Sequence, residues 1–335
     1  MKEVVSVSLG SSKRNHEVEA DLLGERFRIR RVGVDGDLKK AAEMIAELDG
    51  KVSAIGLGGI DLYLVVGSKK YAVRDALKLK KVAKVTPVVD GSGLKDTLER
   101  GTVKTLIDDG VPIIGKRALM VSAVDRFGMA EALATNGVRM IYGDLPFGLG
   151  IPLVIHSFEL FHVLASVIVP IVVRLPFKIL YPTGSKQDEA PKDKYAKYYR
   201  EADIIAGDFL FIRNYMPADM TGKWVLTNTT TAEDVEDMKR RGVELLITTT
   251  PVFEGRSFGT NVLEGVFLSI LGKRWEDVQP DDYRSLLKEL DFKPRVQWLN
   301  GDPLGTGAEP GDTDTEGREV ADEPVVQSGD LIDET

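Results

Sequence analysis

An α/β fold is predicted for this chain, with an N-terminal α/β domain followed by a Rossmann-like domain built on a doubly wound parallel sheet. Two observations predict it. Short apolar segments alternate with helical segments, which is typical of parallel strands covered by helices on both faces. The chain has 335 residues, enough for two domains with cores of ordinary size. A disordered acidic tail completes the predicted organisation, whose parts are 1–111, 112–300 and 301–335.

The first domain is predicted from strand and helix patterns. Residues 16–24 and 26–34 have the composition of two strands, joined as a hairpin around Gly24. Residues 94–110 have a helical pattern, with a break or kink expected at Gly101.

The second domain is predicted from a more regular alternation. Residues 259–272 are expected to form its last apolar helix. Its short apolar strands are predicted at 117–124, 138–144, 203–212, 223–230 and 243–251.

The composition excludes several kinds of chemistry. The chain has no cysteine, which excludes disulfides, thiolate metal ligands and cysteine catalysis. With only three histidines, a multi-histidine metal centre is not expected. The absence of cysteine fits a reducing compartment, and we expect the protein to be cytoplasmic.

The negative charge is concentrated in the tail. Residues 301–335 contain six Asp, five Glu and one Arg, a net charge of −10, whereas the whole chain has −8. The first 300 residues therefore carry +2 and show no concentrated basic face. We expect no nucleic-acid partner.

The most apolar segment, 160–173, bears on membrane association. It is shorter than the ~20 residues of a membrane-spanning helix, and Pro170 interrupts it. We expect a buried helix or a helix–strand pair there. The first ten residues read directly as a strand rather than a signal peptide, so no membrane association is expected.

The segment after the 117–124 strand resembles a degenerate dinucleotide-binding turn. In the register Ala123 to Gly128, only the third glycine of the G-x-G-x-x-G pattern is present. Asp125 stands where phosphate would bind, and Arg126 could contact a phosphate from the side. In the alternative interpretation Asp125 caps the following helix and Gly128 is a packing residue.

An acidic residue downstream favours the dinucleotide interpretation. Asp144 lies 21 residues after Ala123, close to the spacing at which a carboxylate binds the ribose 2′-hydroxyl in NAD-binding folds. This carboxylate would favour NAD over NADP. The alternative is a turn aspartate in the sequence YGDLP.

Two segments carry a resemblance to a known family. DGSGLKDTLER at 90–100 and EADIIAGD at 201–208 resemble the TDGxG turn and the ADIIINAT strand of the shikimate/quinate dehydrogenases. The chain also resembles bacterial proteins described as quinate 5-dehydrogenase. The resemblance covers roughly 86–210 and implies hydride transfer from a ring carbinol of a polyhydroxy carboxylate to NAD(P).

The resemblance implies particular residues. Asp90 matches the family's aspartate, which works with a lysine on the reacting hydroxyl. The family's NVTxPxK motif is absent, so Lys95 is assigned by position only, with Lys70 and Lys78 as alternatives. The family's serine pair is echoed by Ser11 and Ser12, as a cradle for a substrate carboxylate. The alternative for these serines is a solvated loop.

A separate polar cluster suggests an anion site. Arg256, Ser257, Thr260 and Asn261 lie between a strand end and a helix start, where ligands of open α/β sheets bind. By contrast, the sequence HSFELFH offers a single Glu-x-x-His pair, and no metal site is expected there.

Three functions remain open from the sequence. The first is an NAD(P)-dependent oxidoreductase acting on a small-molecule substrate, and a homodimer is left open for it. The second is a non-dehydrogenase α/β protein that binds a phosphorylated or carboxylated ligand at the 256–261 turn. The third is a scaffold whose acidic tail recruits a basic partner.

Overall fold

The computed structural model describes residues 1–176, 194–250 and 259–301, with the backbone of two short strands at 252–253 and 256–257. The predicted tail, apart from Gly301, lies outside the described residues.

The strands fall into two main sheets and two small hairpins. Their bounds are Lys2–Ser8 (β1), His16–Leu22 (β2), Glu25–Gly33 (β3), Ala54–Gly58 (β4), Tyr63–Val66 (β5), Lys69–Ala72 (β6), Val88–Val89 (β7), Arg117–Met120 (β8), Arg139–Tyr142 (β9), Ile204–Ala206 (β10), Trp224–Thr227 (β11), Leu245–Thr248 (β12), Val252–Phe253 (β13), Arg256–Ser257 (β14) and Arg295–Trp298 (β15).

The helices connect these strands and cover the sheets. Their bounds are Leu38–Leu48 (α1), Arg74–Lys80 (α2), Ser92–Asp108 (α3), Phe127–Thr135 (α4), Phe158–Val172 (α5), Ala196–Glu201 (α6), Phe209–Tyr215 (α7), Ala232–Arg240 (α8), Thr260–Leu271 (α9) and Pro280–Glu289 (α10).

The first sheet has five strands in the order β2-β3-β1-β4-β7. β2 and β3 form the predicted antiparallel hairpin, and the other pairs are parallel. The hairpin turns at Leu23 and Gly24, both with positive φ (52° and 76°). Glycine adopts this conformation without the steric cost that a side chain adds.

The second sheet has six strands in the order β15-β12-β11-β10-β8-β9, and only β15 is antiparallel to its neighbour. When the six strands are numbered by their appearance in the chain and read from β9 to β15, the order is 2-1-3-4-5-6. The usual dinucleotide-binding order is 3-2-1-4-5-6, so the Rossmann order is replaced by one of flavodoxin type. The coarser prediction of a mixed α/β fold with parallel strands is confirmed.

Both faces of the second sheet are covered. Along β8 and β10, alternate residues enter two different hydrophobic clusters. Met120 belongs to the same cluster as Phe127 of α4, and Leu119 to the same cluster as Tyr199 of α6. This alternation follows from the two-residue period of a strand. Segments that are apolar on both faces are therefore buried between helix layers.

The two last helices pack against the first sheet rather than the second. Gly265 of α9 lies so close to β1 that an added Cβ would stand 3.0 Å from a methyl group of Val4. Phe267 of α9 and Tyr283 of α10 belong to the same buried cluster as Val4. The chain thus returns to its first sheet after building its second, and the domain boundary at 111/112 stays a prediction.

Several predicted elements were wrong in detail. The expected strand at 203–212 is the short β10 followed by α7, because Asp208 caps a helix through its contact with Leu210 N. α3 is continuous through Gly101, where an added side chain would meet open space. The 160–173 segment is helical in α5 but buried on one face only. α10 and β15 were not predicted.

Within the described residues, no helix combines the length and the apolar character that crossing a membrane requires.

Candidate functional site

The strand order places a crevice at the carboxyl ends of β8 and β10, two interior strands of the second sheet. Connections from β8 and β10 leave in opposite directions, and ligands of such sheets bind at this switch point, beyond the carboxyl ends of the strands. The loops after these two strands meet there, where Arg126 Nη2 donates to Asp208 Oδ2 at 3.0 Å.

A lysine connects this crevice to the first sheet. Lys95 Nζ donates to Asp125 Oδ1 at 2.8 Å and lies 3.1 Å from Asp61 Oδ1. Asp61 follows β4 of the first sheet, and Asp125 follows β8 of the second. The loops beyond the strand ends of both sheets therefore meet at one side chain from the first turn of α3. We call Asp61, Lys95, Glu99, Asp125, Arg126 and Asp208 the junction cluster.

Arg126 occupies the centre of the cluster and is nearly inaccessible, with 4% of its side chain exposed. Its Nη1 donates to Glu99, and its Nη2 donates to Asp208. Its backbone is the N-cap of α4, with φ −129°. The alternative interpretation, in which Asp125 caps α4, was wrong, because that carboxylate turns toward Lys95 instead.

The charged side chains of the cluster shift one another's pKa values. Burial opposes the positive charge of Lys95, but the carboxylates of Asp125 and Asp61 outweigh it and raise its pKa above the ordinary value. Burial also opposes ionisation of Asp125, but the charges of Lys95 and Arg126 lower its pKa to about 2. Burial raises the pKa of Glu99, against the effect of Arg126. Lys95 is thus held protonated, which does not suit a proton-accepting base.

A small cleft opens beside the cluster. Lys95, Asp125 and Arg126 line it, and it communicates with solvent. Tyr63, Val65 and Gly128 give it partly apolar walls. Its accessible charge is acidic, because the side chain of Asp125 is 23% exposed, that of Lys95 10% and that of Arg126 4%.

The other residues of the predicted dinucleotide turn have structural contacts. A Cβ on Gly128 would lie 2.3 Å from Asp96 Oδ1, so glycine allows α4 to approach α3. Ala123 is fully buried. Asp144 Oδ1 accepts the N–H of Val124 at 2.9 Å, and burial raises its pKa to about 6. Asp144 thus ties the strand ends of β8 and β9 together.

Asp90 organises the loop into the β5–β6 hairpin. Its Oδ2 accepts the N–H of Leu62 at 2.5 Å, and its Oδ1 accepts the Ser92 hydroxyl at 2.7 Å. Asp90 is 5% exposed. The structure records no contact between Asp90 and Lys95, whose ammonium points to Asp61 and Asp125 instead. The predicted Asp90–Lys95 pair is therefore not formed.

The predicted anion-binding residues lie elsewhere. Ser11 Oγ caps a short 3-10 helix by accepting Lys13 N, and Ser12 N donates to Asp35. Asn261, in the first turn of α9, donates from Nδ2 to Ser6 Oγ at 2.8 Å, and Thr260 packs beside Gly91. Arg256 and Ser257 form β14, and their side chains lie outside the described structure. An anion role for this set stays a prediction.

The histidine pair of α5 has aromatic surroundings. His162 packs against the rings of Phe127 and Phe158, and Glu159 accepts the hydroxyl of Ser157. Within the described residues, no group of three or more His, Cys, Asp or Glu could hold a metal ion.

Sequence reasoning missed half of the junction cluster. Glu99 and Asp208 lie in the two segments that resemble the dehydrogenase family, but neither they nor Asp61 were assigned a role, because their contacts span 27, 82 and 34 residues. Asp208 had a local signal, because an aspartate directly after a strand is a strong helix N-cap. Glu99 had none, since it lies within a helix.

These features define a two-sheet α/β protein whose strand-end loops meet in one cleft. Residues 93–299 match the model of the family described as "Domain of unknown function (DUF8754)", and residues 3–90 match "Domain of unknown function (DUF8753)". The chain belongs to the DUF8754 family, whose model covers more than half of its length. No curated protein matches the chain.

Solved structures with a distant similarity include three proteins. The first is a sugar ABC transport system substrate-binding protein from Bordetella parapertussis 12822, which is 11% identical with a TM-score of 0.37. The match covers 90% of this chain and 92% of that protein. GanP, a glucose-galactose binding protein from Geobacillus stearothermophilus, has 10% identity, TM-score 0.39 and coverage of 90% and 99%. Glutamate dehydrogenase from Thermus thermophilus has 12% identity, TM-score 0.39 and coverage of 87% and 74%. At these TM-scores the similarity carries no argument about the function of this chain.

The predicted membership of the shikimate/quinate dehydrogenases was wrong. The family model that covers residues 93–299 assigns the chain to the DUF8754 family, and residues 3–90 match DUF8753. The oxidoreductase function predicted from this family membership was therefore also wrong. The local geometry agrees, because Lys95 is held protonated and apart from Asp90. The expected NAD cofactor is tested by none of these comparisons.

Proposed function

We propose that this chain is a binding protein rather than a dehydrogenase. It binds a small, neutral, polyhydroxylated molecule in the cleft beside the junction cluster. The carrying observation is the position of Lys95 between Asp61 and Asp125, which brings the strand-end loops of both sheets to one place. Ligands of α/β sheets bind at such strand ends. Of the second function considered from the sequence, this proposal keeps the non-dehydrogenase binding protein. It replaces the phosphorylated or carboxylated ligand with a neutral one and moves the ligand away from the 256–261 turn.

The charge of the cleft determines the class of ligand. Four carboxylates and two cations make up the junction cluster, and the most exposed charged groups are acidic. An anionic ligand would be repelled by this excess. An ammonium ligand would compete with Lys95 for the same carboxylates. A hydroxyl group donates to a carboxylate and accepts from Lys95 without adding charge.

The walls of the cleft fit the same class. Tyr63, Val65 and Gly128 line it together with Lys95 and Asp125 of the junction cluster. Apolar walls of this kind contact the C–H groups of a polyol, while its hydroxyls meet the polar side chains.

A panel of ligands in a thermal-shift experiment tests the proposal. A ligand that binds only the folded protein raises the melting temperature. We expect neutral sugars and cyclitols to raise it in the wild type and not in Asp125→Asn. Asp108→Asn, at the exposed end of α3, is the matched control and keeps the response. A response only to phosphate, carboxylates, amines or nicotinamide cofactors contradicts the proposal.

A further inference from the structure

α5 has an apolar face that no described residue covers. Leu160, Val163, Val167 and Ile171 are 54–63% exposed, although the opposite face of the helix is buried. We call these four residues the outer face of α5. Leu149, Ile151 and Leu153, which precede α5 in the chain, are also 47–60% exposed.

The outer face has the regular geometry of a helix-packing surface. Val163, Val167 and Ile171 follow one another at intervals of four residues, which makes a ridge along the helix. All three are β-branched and have little side-chain freedom to lose on burial. The inner face anchors the helix firmly, since the ring of Phe161 stacks on Tyr142 at 4.4 Å. The ridge is therefore presented on a rigid element.

The charges at the two ends of α5 indicate what packs there. Glu159 lies exposed in its first turn, and Arg174 lies exposed two residues beyond its end. Residues 160–173, between them, contain no Asp, Glu, Lys or Arg. When two such helices pack antiparallel with Val167 at the crossing point, Val163 faces Ile171 of the other copy. Glu159 then comes beside Arg174 of that copy, so the face is complementary to itself in both charge and shape.

We propose that two copies of this chain associate through the outer face of α5, antiparallel about a two-fold axis near Val167. Closed two-fold dimers are the commonest oligomers, and their interfaces pair one patch with itself. This proposal does not depend on the function proposed for the cleft.

A lipid surface is the alternative occupant, and the charges argue against it. Helices that lie on membranes carry Lys and Arg along their polar face. α5 has an acidic first turn and no basic residue within its length. Its 15 residues are also fewer than the ~20 that span a bilayer.

Sedimentation velocity of the full-length chain tests the proposal. We expect a wild-type dimer at micromolar concentration, weakened more than about tenfold by Val167→Glu, because two carboxylates then face each other at the axis. Val85→Glu is the control, since Val85 is 79% exposed and lies outside the face. It keeps the dimer.

A charge exchange tests the antiparallel arrangement and does not alter the apolar face. Glu159→Arg and Arg174→Glu each weaken the dimer a few-fold, and combining them restores it. A monomeric wild type, including one that binds anionic vesicles, overturns the proposal. So does a dimer that persists in Val167→Glu, or two charge changes that weaken it additively.

Discussion

The carboxylate of Glu264 accepts the backbone N–H of Gly91 at 2.7 Å, although 173 residues separate them. The same carboxylate accepts the Tyr283 hydroxyl at 2.7 Å and Trp275 Nε1 at 3.0 Å. Glu264 lies on α9, and Gly91 is the N-cap of α3. This contact therefore fixes the start of the helix that carries Lys95, and it is made by a helix that returns from the second half of the chain.

Replacing Gly91 tests how closely α9 must approach. Its φ is +90°, and a Cβ would lie 2.6 Å from Asn261 N. Gly91→Ala should therefore lower the free energy of unfolding by more than about 2 kcal/mol, measured by urea denaturation. Gly101→Ala is the control on the same helix. An added methyl meets open space there, so we expect a gain of about 0.5–1 kcal/mol. Equal effects at the two sites would contradict the described packing.

Glu264 should also make stability depend on pH. Burial and the nearby charge of Asp90 raise its pKa from 4.5 to about 7. Above pH 4.5 the unfolded chain loses this proton while the folded protein keeps it, so stability decreases until about pH 7 and then levels off. The decrease attributable to this group is about 3 kcal/mol.

Urea denaturation at pH 5 and pH 8 measures this effect by comparison with a variant. The glutamine in Glu264→Gln cannot titrate. The free energy of unfolding of this variant should therefore decrease less between pH 5 and pH 8 than that of the wild type. Glu289→Gln, at the exposed end of α10, should behave as the wild type does. Identical pH dependence in the wild type and Glu264→Gln would show that the group has an ordinary pKa.

Removing the bridging cation should be costly. Lys95→Met leaves Asp61 and Asp125 facing one another without their ammonium, which we expect to lower the unfolding free energy by about 3 kcal/mol. Adding Asp125→Asn should recover part of this loss, because one of the two like charges is removed. The matched control is Lys78→Met. Its ion pair with Asp75 is 2.8 Å long, but the lysine side chain is 63% exposed, so the change should be below about 1 kcal/mol. A loss for Lys95→Met no larger than the control's would contradict the bridging role.

The sequence predicted the fold where local signals sufficed. Alternation of apolar strands and helices indicated an α/β fold, and the hairpin at Gly24 formed as expected. Strand order could not be predicted, because β10 pairs with β8 through contacts that no local pattern encodes. For the same reason α9 was predicted as a helix but not as a cover for the first sheet.

The contacts of the candidate site could not be predicted from the sequence. The turn at 123–128 lies at the switch point of the second sheet, and its role in binding a ligand stays a prediction. The partners of Asp125 and Arg126 come from α3 and from the loop after β10, which sequence spacing does not reveal. The family assigned from the segments at 90–100 and 201–208 was wrong.

Calorimetric titration with a neutral polyol tests the central claim most directly. The polyol that raises the melting temperature most is titrated into the wild type, Asp125→Asn and Asp108→Asn. We predict one binding site per chain in the wild type and in Asp108→Asn, and affinity at least about tenfold weaker in Asp125→Asn, because a buried charged hydrogen bond is lost. Equal affinity in the wild type and Asp125→Asn would contradict the claim that the cleft beside the junction cluster is the ligand site.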